Sequence, residues 1–246
     1  MGLQMIREGG SFLDGASPNG RWEYWRGPVW LRPASIDGSW RHSAMAPWGF
    51  FEFIDLASAL GIPSVVSTFA EVSAQSYADL VEYCFGNSST PFGKLRHADG
   101  HPGRYTPTYI ELGNEQTNAD FVAQVTAMEA KAAALGMAKQ LKYVYPTNHA
   151  PNLPTPAMGT AMAELGIGQN AVMDWHCNDA LAPDCLKDIY AVLNQSEFST
   201  WGSIIEETNL ATHDVLVSQR FSVPLLRFLL CLCVAYRERN VSAARA

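Results

Sequence analysis

Two glutamates that each follow an apolar, strand-like run are the residues whose type and spacing could do chemistry. Glu115 closes the stretch "TYIELGNEQ" (108–116), in which Gly113 interrupts the strand pattern and Asn114 adds an amide. A second acidic pair, Glu206 and Glu207, closes "GSIIEETN" (202–209). Carboxylates at the ends of two strands suit the cleavage of a glycosidic bond. One gives a proton to the leaving oxygen, and the other, ionised, attacks the anomeric carbon or activates water.

The elements that must position these residues alternate between strands and helices along the chain. A long irregular segment (14–47) and a polar loop (93–105) interrupt the alternation. Alternation of this kind favours a parallel sheet, either closed as a barrel or open and doubly wound. The pattern predicts strands at 3–7, 63–69, 108–115, 141–148, 171–178 and 202–209, and helices at 49–61, 73–86, 118–136, 155–165 and 183–194.

The polar residues that follow the predicted strands favour the barrel. An open dinucleotide-binding sheet requires a Gly-x-Gly-x-x-Gly turn after an early strand, and the sequence has none. A (β/α)8 barrel instead builds its site at the carboxyl ends of its strands. The polar residues at the carboxyl ends of the predicted strands are Arg7, Asn114, Glu115, Asn148, His176, Glu206 and Glu207. We therefore predict an α/β fold of the (β/α)8 TIM-barrel type.

Composition and charge restrict the class of partner. The chain has 246 residues, of which 48% are hydrophobic and 17% charged, as in globular proteins. A formal net charge of −7 and the lack of a Lys/Arg run argue against nucleic acid. The five cysteines lack the paired spacing of a zinc site, so we expect buried thiols and no metal.

The two ends of the chain bear on membrane and compartment. The start "MGLQMIREGG" lacks the features of a signal peptide. The apolar stretch 221–236 is about 16 residues long, is interrupted by Pro224 and Arg227, and is too short to predict a membrane span. Sequons at Asn87, Asn194 and Asn240 permit a secreted protein without indicating one, so localisation stays unassigned.

Several motifs together resemble glycoside hydrolase family 51, the α-L-arabinofuranosidases, over roughly residues 3–214. They are "IREGGS", "RWEYWRGPVWLRP", "ADLVEYCFG", "LRHADGHPGRY", "TYIELGNEQ" and the strand that carries Glu207. The resemblance implies a retaining mechanism without cofactor or metal. It also implies substrates such as arabinan or arabinoxylan, that is, arabinose-containing polysaccharides or oligosaccharides.

Carried over residue by residue, the resemblance makes Glu115 the acid/base and Glu207 the nucleophile. Asn114 would hydrogen-bond the sugar hydroxyl next to the anomeric carbon, and Arg7 would order the sugar or the nucleophile. His176 stands where the family has a histidine near the end of the sixth strand, although different residues follow it in "MDWHCN".

Each of these residues has an alternative interpretation. Glu115 could cap a helix, and Glu207 could be a solvated strand end. Glu206 competes with Glu207 as nucleophile, because neighbouring side chains on a strand point to opposite faces. His176 could be structural, and Arg7 could pair with a buried carboxylate such as Glu115 or Glu207.

The domain prediction is an incomplete catalytic barrel at 1–221 and an atypical tail at 222–246. Complete family members have eight strands and a separate β-sandwich domain. This chain begins at an early interior strand and leaves the family pattern after "THDVLVSQRF" (212–221), so we interpret it as truncated at both ends. The alternatives are another glycosidase on the same barrel (a β-glucanase or glucuronidase) or an inactive carbohydrate-binding remnant.

Overall fold

The computed structural model describes most of the chain between Met5 and Glu206. The described residues are 5–9, 21–32, 36–37, 43–44, 48–147, 152–176, 188 and 191–206. Within them no helix is long and apolar enough to cross a bilayer. The predicted tail at 222–246 lies outside the described residues.

Eight strands and five α-helices make up the described fold. The strands are β1 (Ile6–Glu8), β2 (Ile36–Asp37), β3 (Ser43–Ala44), β4 (Ser64–Thr68), β5 (Tyr109–Leu112), β6 (Tyr143–Tyr145), β7 (Ala171–His176) and β8 (Gly202–Glu206). The helices are α1 (Phe50–Leu60), α2 (Ala74–Phe85), α3 (Pro91–Ala98), α4 (Phe121–Ala134) and α5 (Pro156–Glu164). Apart from α3 and the short β2 and β3, each corresponds to a predicted element, generally with shorter ends. Most of the helix predicted at 183–194 lies outside the described residues, although 191–193 are helical.

Six of the strands form one parallel sheet in the order β1-β4-β5-β6-β7-β8. Each strand pairs with its neighbour in parallel, and the helices return the chain between them. The sheet curls as part of a barrel, which confirms the predicted α/β class with an incomplete barrel. Strands β2 and β3 form a separate antiparallel pair within the irregular segment.

Strand alternation gives the curled sheet two faces with different contents. The outer face packs on the helices through a large core that includes Val66, Ile110 and Met173. The inner face carries a small apolar cluster of Val65, Tyr109, Val144 and Val172, with Met5 against it. Because side chains two residues apart on a strand share a face, Arg7, Ser67, Glu111 and Asp174 lie above this cluster, toward the carboxyl ends.

The loop predicted at 93–105 is wrong in its first half, which belongs to α3. The Thr90 hydroxyl accepts a hydrogen bond from the Gly93 N–H at 3.2 Å, and Pro91 occupies the first helical turn. A hydroxyl cap followed by proline is a helix start signal. The polarity of "GKLRHADG" concealed it, because α3 is short and buries little except Gly93 and Arg96.

The predicted N-cap of α4 is also wrong. The helix begins at Phe121, after Asp120, and not at Asn118. The buried Asn118 amide instead donates to the Leu112 carbonyl at 2.7 Å and to Gln124 Oε1 at 2.8 Å. Asn118 therefore ties the end of β5 to α4 and stabilises the turn that follows the strand.

Candidate active site at the carboxyl ends of the strands

Arg7 and Glu111 form the floor of the site, on the inner face of the sheet. Arg7 Nε donates to Glu111 Oε2 at 2.8 Å, and Arg7 Nη2 donates to Glu111 Oε1 at 3.0 Å. Glu111 Oε2 also accepts a hydrogen bond from the Ser67 hydroxyl. The Glu111 side chain is fully buried and that of Arg7 is 14% exposed. A paired guanidinium with two parallel hydrogen bonds holds both side chains in one orientation.

The geometry of the turn after β5 explains why Gly113 interrupts the strand pattern of the sequence. Gly113 has φ 131°, and a Cβ there would lie 2.8 Å from Pro146 Cγ and 3.0 Å from Ala70 Cβ. Only glycine fits this close approach and this dihedral angle. The next residue, Asn114, is buried, and its Oδ1 accepts a hydrogen bond from Arg7 Nη2 at 2.8 Å.

Glu115 itself has an unusual backbone conformation. Its φ is 49°, in the left-handed region that residues other than glycine seldom adopt. Asn152 Nδ2 donates to the Glu115 carbonyl oxygen at 2.8 Å and so supports this conformation from another loop. Strained backbone of this kind concentrates at functional sites. Because its side chain is 29% exposed, Glu115 can meet a ligand.

His176 joins Glu115 to a second buried carboxylate. His176 Nδ1 lies 2.8 Å from Glu115 Oε1, and Nε2 lies 2.6 Å from Asp174 Oδ2. Asp174 Oδ2 is also 3.6 Å from Arg7 Nη2, an ion-pair distance, so side-chain contacts run without a break from Arg7 on β1 to Glu115, three residues after β5. The His176 side chain is only 3% exposed.

Burial and neighbouring charges separate the two buried acids. Burial raises the pKa of Glu111 to about 7, with a further contribution from Asp174, although Arg7 opposes the shift. Burial alone would also raise the pKa of Asp174, but His176 and Arg7 outweigh it and lower that pKa. Asp174 is therefore the ionised acid of the pair, and Glu111 is the one that can take up a proton near neutral pH.

The structure brings four of the five predicted site residues together. Arg7, Asn114, Glu115 and His176 meet at the carboxyl ends of β1, β5 and β7. The fifth, Glu207, lies outside the described residues, as does Asn148. Glu206 ends β8 and pairs with His176 in the strand register. In the described part of the chain, the carboxylate that binds Arg7 through two hydrogen bonds is Glu111, not Glu115.

Sequence reasoning missed Glu111 and Asp174. Both are acids inside otherwise apolar strands, in "YIEL" and "AVMDWH". Asp174 stands two residues before His176 and hence on the same face of β7. A lone acid in a buried strand, in phase with a predicted site residue, was the available signal. In the part of the chain that is described, no three His, Cys, Asp or Glu side chains are arranged to hold a metal ion.

A curled parallel sheet with acids, an arginine and a histidine at its strand ends is the arrangement in which barrel-type α/β proteins build their active sites. The family model for the α-L-arabinofuranosidase 1 domain matches residues 1–150, and the chain belongs to this family. The match confirms the resemblance to the family 51 arabinofuranosidases that the sequence motifs indicated.

Curated relatives are similar over about half of the chain. An intracellular exo-α-(1→5)-L-arabinofuranosidase of Halalkalibacterium halodurans is 30% identical over 140 residues, which are 56% of this chain and 27% of that protein. A probable α-L-arabinofuranosidase C of Aspergillus clavatus is 32% identical over 122 residues, 49% of this chain and 24% of that protein. The chain thus spans about a quarter of the length of these relatives.

Solved structures support the fold over more of the chain. The α-L-arabinofuranosidase of Thermotoga maritima, in an arabinose complex, matches with a TM-score of 0.56 at 17% identity and covers 89% of this chain and 48% of its own. The family 51 α-L-arabinofuranosidase of Thermotoga petrophila matches with a TM-score of 0.57 at 17% identity, covering 82% and 47%. At such identity the likeness concerns the fold alone.

Proposed function

We propose that this chain is the catalytic part of a retaining glycoside hydrolase that removes α-L-arabinofuranosyl residues from polysaccharides or oligosaccharides. The observation that carries the proposal is the pair of hydrogen-bonded contacts Arg7–Asn114 and His176–Glu115, which Asp174 connects, in a member of the arabinofuranosidase family. The relatives named above are arabinofuranosidases, which supports arabinose-containing carbohydrate as the ligand.

Two carboxylates perform the reaction. In the first step Glu207 attacks the anomeric carbon, the glycosidic bond breaks, and the Glu115 carboxyl gives its proton to the leaving oxygen. In the second step the Glu115 carboxylate takes a proton from water, whose oxygen attacks the anomeric carbon and releases Glu207. The proton and the carboxylates are restored after each cycle, so the mechanism requires no cofactor.

Arg7, Asn114 and His176 orient the reacting groups. Because Arg7 holds Asn114 Oδ1, the amide nitrogen is the atom with which Asn114 would bind the sugar hydroxyl next to the anomeric carbon. His176 keeps Glu115 Oε1 in one direction, and the other carboxyl oxygen is then the one for the leaving group. Holding the acid in place before the substrate arrives is worth a large part of its catalytic effect.

The proposed catalytic domain spans 1–221 as part of a (β/α)8 barrel, with 222–246 as a tail that does not belong to it. The six parallel strands would be a portion of the eight that close a complete barrel. An unclosed barrel has sheet edges open to pairing, so assembly with other copies or aggregation is the expected failure of the isolated chain.

The test is hydrolysis of a panel of nitrophenyl glycosides headed by the α-L-arabinofuranoside. Glu207→Gln is expected to abolish turnover, whereas Glu206→Gln is expected to retain it. Glu164→Gln, an exposed acid at the end of α5, is the matched control. Preference for a β-glucoside or glucuronide would overturn the substrate class. A folded chain that binds arabinose without turnover would overturn the proposed enzymatic activity and indicate a carbohydrate-binding remnant. Loss of activity in Glu206→Gln alone would reassign the nucleophile to Glu206.

A further inference from the structure

Asp174 is a buried acid to which the two-carboxylate mechanism gives no role. Its side chain is fully buried on the inner face of β7. Asp174 Oδ2 contacts His176 Nε2 at 2.6 Å and lies 3.6 Å from Arg7 Nη2. A fully desolvated carboxylate is costly unless cations and hydrogen bonds compensate it, and here both are present.

The ring of His176 lies between two carboxyl groups. Nε2 faces Asp174 and Nδ1 faces Glu115, both within hydrogen-bond distance. A carboxylate, and the C=O oxygen of a neutral carboxyl, accept hydrogen bonds, and both nitrogens of the imidazole are donors only when the ring is protonated. Among the described elements, the charged groups that contact the ring are Asp174 on β7 and Glu115 after β5. Arg7 on β1 and Glu111 on β5 lie beside Asp174.

We propose that Asp174 is a positioning residue for Glu115 and acts through His176, which it holds as an imidazolium. Nε2–H donates to Asp174 and Nδ1–H donates to Glu115 Oε1. The other carboxyl oxygen of Glu115 is then the one that gives and takes the catalytic proton. Because the Nδ1–H bond is made to the neutral and to the ionised carboxyl alike, Glu115 keeps one direction in both steps of the reaction.

This inference rests on the proposed acid/base role of Glu115, but its first test does not depend on activity. We would label the six histidines with 15N, record the ring nitrogen spectra of the whole chain at pH 7, and assign His176 with His176→Asn. The expected result is protonation of both ring nitrogens of His176. A neutral ring, and above all one whose Nε2 is unprotonated because Asp174 donates to it, would overturn the proposal. No variant of Asp174 is needed for this measurement.

Asp174→Asn provides the second test, because it keeps the shape of the side chain and removes its charge. We expect a neutral His176 ring at pH 7 and a loss of about 10- to 100-fold in kcat/KM for alkyl arabinofuranosides, whose leaving groups need the acid. Dinitrophenyl arabinofuranoside, which leaves without protonation, should lose less than about threefold. An equal loss for both substrates would indicate a merely structural Asp174 and overturn the proposal.

Glu82→Gln is the matched control. Glu82 is a buried acid paired with Lys131 between α2 and α4, away from the strand ends. Its replacement should lower stability without changing the dependence on leaving group. If Glu115→Gln loses activity equally on the alkyl and the dinitrophenyl substrates, the acid/base assignment of Glu115 has failed. If Glu115→Gln loses more activity on the alkyl substrates and Asp174→Asn does not, only the proposed role of Asp174 has failed.

Discussion

Two arginines, the buried Arg96 and the half-buried Arg7, have different kinds of partners. Arg96, on α3, is 1% exposed, and its guanidinium donates to the carbonyls of Tyr83 at 2.6 Å, Cys84 at 3.0 Å and His101 at 3.2 Å. Arg7 instead donates to the side chains of Glu111 and Asn114 and lies near Asp174. The first arginine binds backbone, and the second binds side chains that can be protonated or can turn.

The difference in partners distinguishes an arginine that stabilises the fold, Arg96, from one that belongs to the candidate active site, Arg7. Backbone carbonyls carry no proton and keep their position as long as the fold persists, so Arg96 joins the end of α2 to α3 and to the segment that follows α3. The partners of Arg7 include an acid with a raised pKa and contact the cluster that ends at Glu115. Buried charges with titratable partners in an open cleft are typical of active sites.

Arg96→Met should have the largest effect on stability. The substitution keeps apolar volume but leaves the carbonyls of Tyr83 and Cys84 buried without their donor. We expect a loss of about 4 kcal/mol in the free energy of unfolding, nearly independent of pH. Urea denaturation at pH 5 and pH 8 checks it. A loss that changed strongly with pH would contradict the assignment of Arg96 to a purely backbone-binding role.

Arg7→Met should be destabilising in a way that depends on pH. Without the guanidinium, ionised Glu111 is a buried and uncompensated charge, whereas protonated Glu111 is not. We expect a loss of about 3 kcal/mol at pH 8 and about 1 kcal/mol at pH 5. The same denaturation series measures both values, and equal losses at the two pH values would remove the distinction between the two arginines.

Glu8→Gln should also change how stability depends on pH, on the opposite face of β1 from Arg7. Burial raises the pKa of Glu8 to about 7, against the opposing effect of Arg7, from a reference value of 4.5. A carboxyl whose pKa is higher in the folded chain stabilises it at low pH and loses that contribution as pH rises through 7. The variant should therefore be about 3 kcal/mol more stable than the parent at pH 8 and unchanged near pH 4, because each unit of the pKa shift is worth about 1.4 kcal/mol. Equal stability of variant and parent at pH 8 would refute the raised pKa of Glu8.

Much of the fold follows from local signals in the sequence. Gly61, in the left-handed conformation, ends α1, and Thr155 followed by Pro156 starts α5. These signals work because each depends on backbone geometry within a few residues. Helix α3 was not predicted because its polar residues resemble a loop. The role of Asn118 was predicted wrongly because its partners, Leu112 and Gln124, are six residues away.

The candidate site could be predicted only in part for a related reason. Asn114 and Glu115 come shortly after β5 and His176 ends β7, and strand ends meet at one edge of a parallel sheet. Glu111 and Asp174 lie within strands, where an acid can also be a surface residue, and only the inward phase of β5 and β7 distinguishes them. For Asp174 the phase could be taken from His176, two residues later on the same strand, whereas no predicted site residue lies within β5 to give the phase of Glu111.

The most direct test of the central claim is the leaving-group dependence of Glu115→Gln with arabinofuranosides. We expect kcat/KM for an alkyl arabinofuranoside to fall about 10²- to 10⁴-fold, while kcat/KM for the dinitrophenyl arabinofuranoside changes by less than about tenfold. Added azide, which needs no general base, should then speed turnover of the activated substrate by attacking the covalent intermediate. Equal losses for the two substrates, without rescue by azide, would contradict the assignment of Glu115 as the acid/base.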